Sequence, residues 1–179
     1  MRNTMMGVMI GSLALCGAAQ AQFDDDFESY SLGDIVGQGG WEAWDDDPGA
    51  AGRQVVDTIL HGGAQSVAVV GVDDAVGGPN NWSTQVSMTT DLVEDADGGG
   101  GSVPTATDSW AEIKIVLNFD DDEQTFFYNG AVVRQGSWTE GASGGGVLNL
   151  GAIDLWSNGA SVHYYDDLTI EVGSPDGAC

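Results

Sequence analysis

Three observations predict an all-β chain folded as a two-sheet antiparallel β-sandwich. Apolar residues alternate with polar ones at period two in several short runs. Those runs are separated by Gly, Asn and Asp; glycine occurs 28 times and proline 4 times, which marks turns without breaking strands. Beyond residue 21 no long stretch keeps a helical period. Sheets with one apolar face must bury it against a second sheet, and the even spacing of strands and turns here suits that solution.

The first residues read as an export signal. Arg2 supplies a positive start, Met5 to Leu15 is mostly apolar, and Ala19-Gln20-Ala21 fits a small-x-small cleavage site. The apolar run is too short to span a membrane. Cleavage after Ala21 places the product in the periplasm or outside the cell, with residues 22–173 as one sandwich domain and 174–179 as a tail. A domain of this size buries roughly 70% of its unfolded surface. Only Cys179 survives processing, so no intrachain disulfide is available.

The formal net charge is −24, and processing leaves Arg53, Lys114 and Arg134 against 28 acidic residues. Such a surface repels nucleic acid and anionic lipid, attracts divalent cations and tolerates salt.

The first strand candidate is Phe23-Asp24-Asp25-Asp26-Phe27, in which Phe23, Asp25 and Phe27 share the inward face. Arg53–Leu60, Gln65–Val72 and Trp82–Thr90 follow. The clearest run is Ser109–Phe119: Ala111, Ile113, Ile115, Leu117 and Phe119 form a dry face, and Trp110, Glu112, Lys114, Val116 and Asn118 a wet one. Asp120 to Glu123 makes a turn of solvated acids. Asn129-Gly130 then signals a two-residue hairpin, because both central residues of a type I′ turn need positive φ. Asp108 to Trp138 therefore reads as a three-strand meander. Val147–Trp156 and Ser161–Val172 complete the set, and the last of these places Tyr164, Asp166, Leu168, Ile170 and Val172 on one face.

Asp25 and Asp166 thus fall on apolar faces. An isolated buried carboxylate costs several kcal/mol. Two of them about 4 Å apart repel by roughly 4 kcal/mol at an effective dielectric of about 20. A shared calcium ion removes both costs, since it accepts carboxylates and backbone carbonyls in loose geometry. Two alternatives stand beside the ion: the carboxylates sit at strand ends and reach water, or they cap backbone N–H groups at bulges. Zinc has only His61 and His163 to use and no cysteine nearby.

The segments "DDFESYSLGDIVGQGGWEAWDDDPGAA", "HGGAQSVAVVG", "NNWSTQVSM", "GSWTEGASGGGVLNLGAIDLWSNGAS" and "YYDDLTIEV" resemble a family of secreted bacterial domains with the concanavalin A-like lectin/glucanase (LamG-like) jelly-roll fold. The resemblance implies two antiparallel sheets packed face to face, with first and last strands adjacent. It also implies a structural calcium held by acids near the termini, which lands on Asp25 or Asp26 and on Asp166 or Asp167. One departure is plain. Family members carry about two more strands between Val72–Val76 and Gly77–Ser83, and their loss here would expose strand edges and open a gap in one sheet.

Some proteins of this fold cleave β-glucans, which takes two carboxyls about 5 Å apart for a retaining mechanism. The Glu-x-Asp-x-x-Glu spacing of the retaining members is missing; Glu112, Glu123 and Glu140 each stand alone. The sequence therefore points to a non-catalytic module. A polysaccharide or cell-surface glycan is the expected partner, because six tryptophans are many for this length and flat aromatic faces stack on sugars. Trp44, Trp110 and Asp154 are the candidates. The rival reading is a purely structural or adhesive extracellular domain, with a glucanase-like hydrolase behind both.

Overall fold

The computed structural model describes residues 6–10 (backbone only), 23–43, 53–69, 83–96, 99–142, 144, 146–150, 153, 155 and 162–170. Among these the chain is all-β. The strands are β1 (Met6–Ile10), β2 (Phe23–Asp25), β3 (Gly33–Asp34), β4 (Arg53–Val56), β5 (Ser66–Val69), β6 (Val86–Met88), β7 (Leu92–Asp95), β8 (Ser102–Pro104), β9 (Ser109–Asn118), β10 (Glu123–Tyr128), β11 (Ala131–Ser137), β12 (His163–Asp166) and β13 (Leu168–Ile170). No helix among the described residues is long and apolar enough to cross a membrane.

Eight strands form one large sheet in the order β11-β10-β9-β1-β12-β5-β4-β3. The meander read from the sequence is its left half, and Asn129 and Gly130 take φ of 47° and 75°, as a type I′ turn requires. Two smaller antiparallel sheets, β6-β7-β8 and β2-β13, accompany it. One core cluster joins all three: Val55, Val67, Val69, Ala111, Ile113, Phe126, Tyr128, Val133 and Tyr165 come from the large sheet, Val93 from β7 and Leu168 from β13, with Phe27 and Ile35 beside them. This is the packing of a β-sandwich, because the dry face of each sheet is closed by another sheet. Beyond residue 21 the three Lys and Arg residues, Arg53, Lys114 and Arg134, all lie in strands of the large sheet.

The structure departs from the alternation reading in four places. The last strand is not continuous. Asp167 adopts a left-handed backbone, φ 54°, and this break sends β12 into the large sheet and β13 into the small one. Tyr165, not Tyr164, therefore enters the core, while Asp166 and Leu168 stay buried on either side of the break. Phe27 is also left-handed, φ 61°, so the first strand ends at Asp25; Phe27 is fully buried and Phe23 is exposed. Residues 147–150 form no strand, and Val147 and Leu148 are exposed. Finally, Met6–Ile10, part of the expected signal, is a central strand of the large sheet, parallel to both of its neighbours.

Candidate functional site

The two ends of the domain meet. β2 pairs antiparallel with β13, with Asp25 opposite Leu168 and Phe23 opposite Ile170. Asp25 is 6% exposed. Its carboxylate receives three donors: the Phe27 backbone N–H at 3.0 Å on Oδ1, and the Tyr30 hydroxyl at 2.6 Å and the Trp41 indole N–H at 2.7 Å on Oδ2. The rings of Tyr30 and Trp41 pack on Phe27 at 6.1 and 5.9 Å, so the donors are themselves held by the core. Burial, then the neighbouring Asp25 carboxylate, pushes the Tyr30 hydroxyl up to about 12, which keeps it a donor. Asp26 points to solvent and caps the Glu28 N–H at 3.1 Å.

On the other side of the break, Asp166 is 1% exposed and accepts the N–H of His61 at 2.9 Å and of Asp167 at 3.0 Å. Burial raises its pKa, the two N–H donors pull against that rise, and the charge of Asp167 adds to it. Asp167 Oδ2 lies 2.6 Å from His61 Nδ1, an ion pair whenever the imidazole is protonated. Glu28 Oε1 accepts the N–H groups of Ala64 at 2.7 Å and Gln65 at 2.8 Å. A Cβ at Gly63 would meet the Glu28 carboxylate, so a larger residue there would displace that side chain from Ala64 and Gln65. The Ser66 hydroxyl donates to the Ile59 carbonyl.

These contacts share one object: the loop 57–65 between β4 and β5. Glu28, Asp166 and Asp167 bind its backbone and its histidine, and Trp110 on β9 donates its indole N–H to the Leu60 carbonyl at 2.9 Å. The His61 and Trp110 rings meet edge to face at 5.4 Å and 69°. Trp110 lies on the solvent side of β9, as its place in the alternation requires, and belongs to neither core cluster. The arrangement is a half-exposed indole held in one orientation beside an imidazole and a carboxylate.

The sequence expects calcium at Asp25, Asp26, Asp166 and Asp167, and all four lie within the described residues. No group of three or more His, Cys, Asp or Glu side chains among them is arranged to hold a metal ion. Asp25 and Asp166 each accept N–H donors, and Asp25 also the Tyr30 hydroxyl, which is the cap geometry named beside the ion. Trp44 and Asp154 lie outside the described residues.

Other polar features are separate. Asp122, expected as a solvated turn acid, accepts three hydrogen bonds from Ser137 and Thr139, and the Ser137 hydroxyl in particular lowers its pKa. Arg134 pairs with buried Asp95 at 2.8 Å beside a polar cavity of about 210 Å³, also lined by Gln135, Glu140 and Gly141. Arg53 and His163 both oppose Val69, one from each side of β5. Arg53 Nε and Nη2 and His163 Nδ1 are buried without hydrogen-bond partners among the described residues, and burial lowers the His163 pKa.

Sequence reasoning singled out Asp25, Asp166, Asp167 and Trp110 and gave no part in this arrangement to Glu28, Tyr30, Trp41 or His61. Tyr30 and Trp41 stand 5 and 16 residues from their acceptor, a spacing set by a loop and by no period. The signal that was present is Asp-Asp-Phe-Glu-Ser-Tyr itself, where Asp25 and Asp26 cap the N–H two residues on and turn the chain. Comparison with known proteins brings no relative: no family model, curated protein or solved structure matches this chain.

Proposed function

We propose that this chain is a non-catalytic β-sandwich module, exported from the cell, that binds polysaccharide on the face around Trp110. The observation that carries the reading is the immobilised indole. Its N–H is already satisfied by Leu60, its ring packs at a steep angle on His61, and it belongs to neither core cluster. A rigid aromatic plane loses little freedom when a sugar ring stacks on it. His61 and Asp167 stand beside it as polar groups for ring hydroxyls, the usual composition of a sugar site. The jelly-roll connectivity of concanavalin A-like domains is part of the same proposal and rests on the sequence resemblance.

The test is a glycan array of plant and algal polysaccharides, probed with the wild type and with Trp110→Ala. Binding by the wild type that Trp110→Ala abolishes without changing the fold supports the site. Silence across the array leaves a structural or adhesive domain. Hydrolysis of laminarin replaces both with the hydrolase.

A further inference from the structure

The large sheet contains one strand that the sequence marks for removal. β1, Met6–Ile10, lies between β9 and β12, with Met6 to Ile10 opposite Ser109 to Ile113 and Gly7 to Met9 opposite Tyr164 to Asp166. The same residues form the apolar stretch ahead of Ala19-Gln20-Ala21. Taking them away does not trim an edge. It opens the middle of the sheet, leaving β9 and β12 about 9.6 Å apart, two strand spacings, with a row of unpaired N–H and C=O groups on each.

Strand direction says that something belongs there. Every other neighbouring pair in this sheet is antiparallel. β1 is parallel to both β9 and β12, so those two run the same way. A sheet that alternates throughout has room for one further strand between them, and a strand running opposite to β1 would complete the alternation. Direct closure would instead create a parallel pair inside an antiparallel meander sheet, with no crossover helix to accompany it.

We propose that the position held by Met6–Ile10 is a strand-acceptor slot, and that the processed domain takes into it an extended apolar segment donated by another polypeptide. The chemistry of the donor is read from the walls and from the present occupant. The row of Val8 is flanked by Ala111 at 1% and Tyr165 at 4% exposure, so the donor residue in that row is apolar. The occupant, Met-Gly-Val-Met-Ile, carries no charge in a chain of net charge −24. Ladder hydrogen bonds to two strands at once give affinity, and the core-facing row gives selectivity. Because the slot is internal, it offers twice the pairing of an ordinary sheet edge.

The probe is a synthetic peptide with the sequence of residues 5–11, made soluble by terminal lysines. It is added to the chain starting at Gln22, to the unprocessed chain, and to an unprocessed Val8→Pro chain in which the resident strand cannot complete its ladder. The expected result is one-to-one binding to the first and third proteins, with amide exchange at Ser109–Ile113 and His163–Asp166 slowed about tenfold or more. The unprocessed wild type, whose slot is full, should not bind, and neither should a peptide with proline at the Val8 position. If the chain starting at Gln22 does not fold alone, the peptide should restore folding when present during refolding. The proposal is overturned if those amides are already protected without peptide and no binding occurs, since β9 and β12 have then closed together. Failure of the peptide to rescue folding overturns it equally, as does a processed chain that fills the slot with a second copy of itself and refuses the peptide.

Discussion

Replacing Asp25 with Asn changes one atom and keeps the shape, so it isolates the carboxylate's work. The carboxylate takes three donors on two oxygens. An amide offers one oxygen and one NH2. If its oxygen faces Tyr30 and Trp41, the NH2 confronts the Phe27 N–H; if it is flipped, the NH2 confronts the Trp41 N–H, while the Tyr30 hydroxyl rotates to accept. Either way one buried donor goes unpaired, at about 1–3 kcal/mol, and the remaining bonds lose their charge assistance, for a total of about 2–3 kcal/mol. For a domain of this size that is a fall in melting temperature of about 4–12 °C. Urea unfolding followed by tryptophan fluorescence measures it. Trp41→Phe should cost about 1 kcal/mol alone and less than that in the Asp25→Asn background, because both remove the same bond. The whole series should be the same in calcium and in chelator. A loss below about 0.5 kcal/mol, or one seen only with calcium present, would refute the account and return the site to an ion.

Arg53→Met should be neutral or stabilising by about 1 kcal/mol, since two buried guanidinium nitrogens lack partners; a clear loss in thermal unfolding would mean a partner had been overlooked. Glu28→Ala should speed amide exchange at Ala64 and Gln65 and weaken any Trp110-dependent binding, whereas Glu28→Gln, which keeps an acceptor, should do so less. Asp122 has a folded pKa below its ordinary 3.8, so its contribution to stability is full above that value and is lost as pH falls through the depressed one; Asp122→Asn should flatten that acid limb of a pH–stability curve. Asp166 acts with the opposite sign: its raised folded pKa means stability falls as pH rises from 3.8 through that value, and Asp166→Asn should remove this descent.

The meander was legible because alternation and the Asn129-Gly130 turn are local, and both depend only on backbone sterics. The meeting of the chain ends was legible for a weaker reason: acids on an apolar face demand compensation, and compensation needs a partner segment. What compensates them was not legible. Tyr30, Trp41 and the N–H groups of the loop 57–65 reach Asp25 and Asp166 through turns whose path no period encodes. The break at Asp167 was hidden too. A single left-handed residue flips every later side chain to the other face, and aspartate tolerates that conformation without announcing it. Val147 to Leu150 shows the reverse error, a run with strand composition that joins no strand ladder among the described residues.

The location of Arg53, Lys114 and Arg134 in strands of one sheet has a consequence for how the protein meets proteases. Trypsin needs an extended, accessible chain around a basic residue, and Arg53, Lys114 and Arg134 lie within hydrogen-bonded ladders. Lys114 stands on β9, a strand paired on both sides, so cutting there must wait for the sheet to open, and the rate of tryptic cutting at Lys114 becomes a clock for that opening.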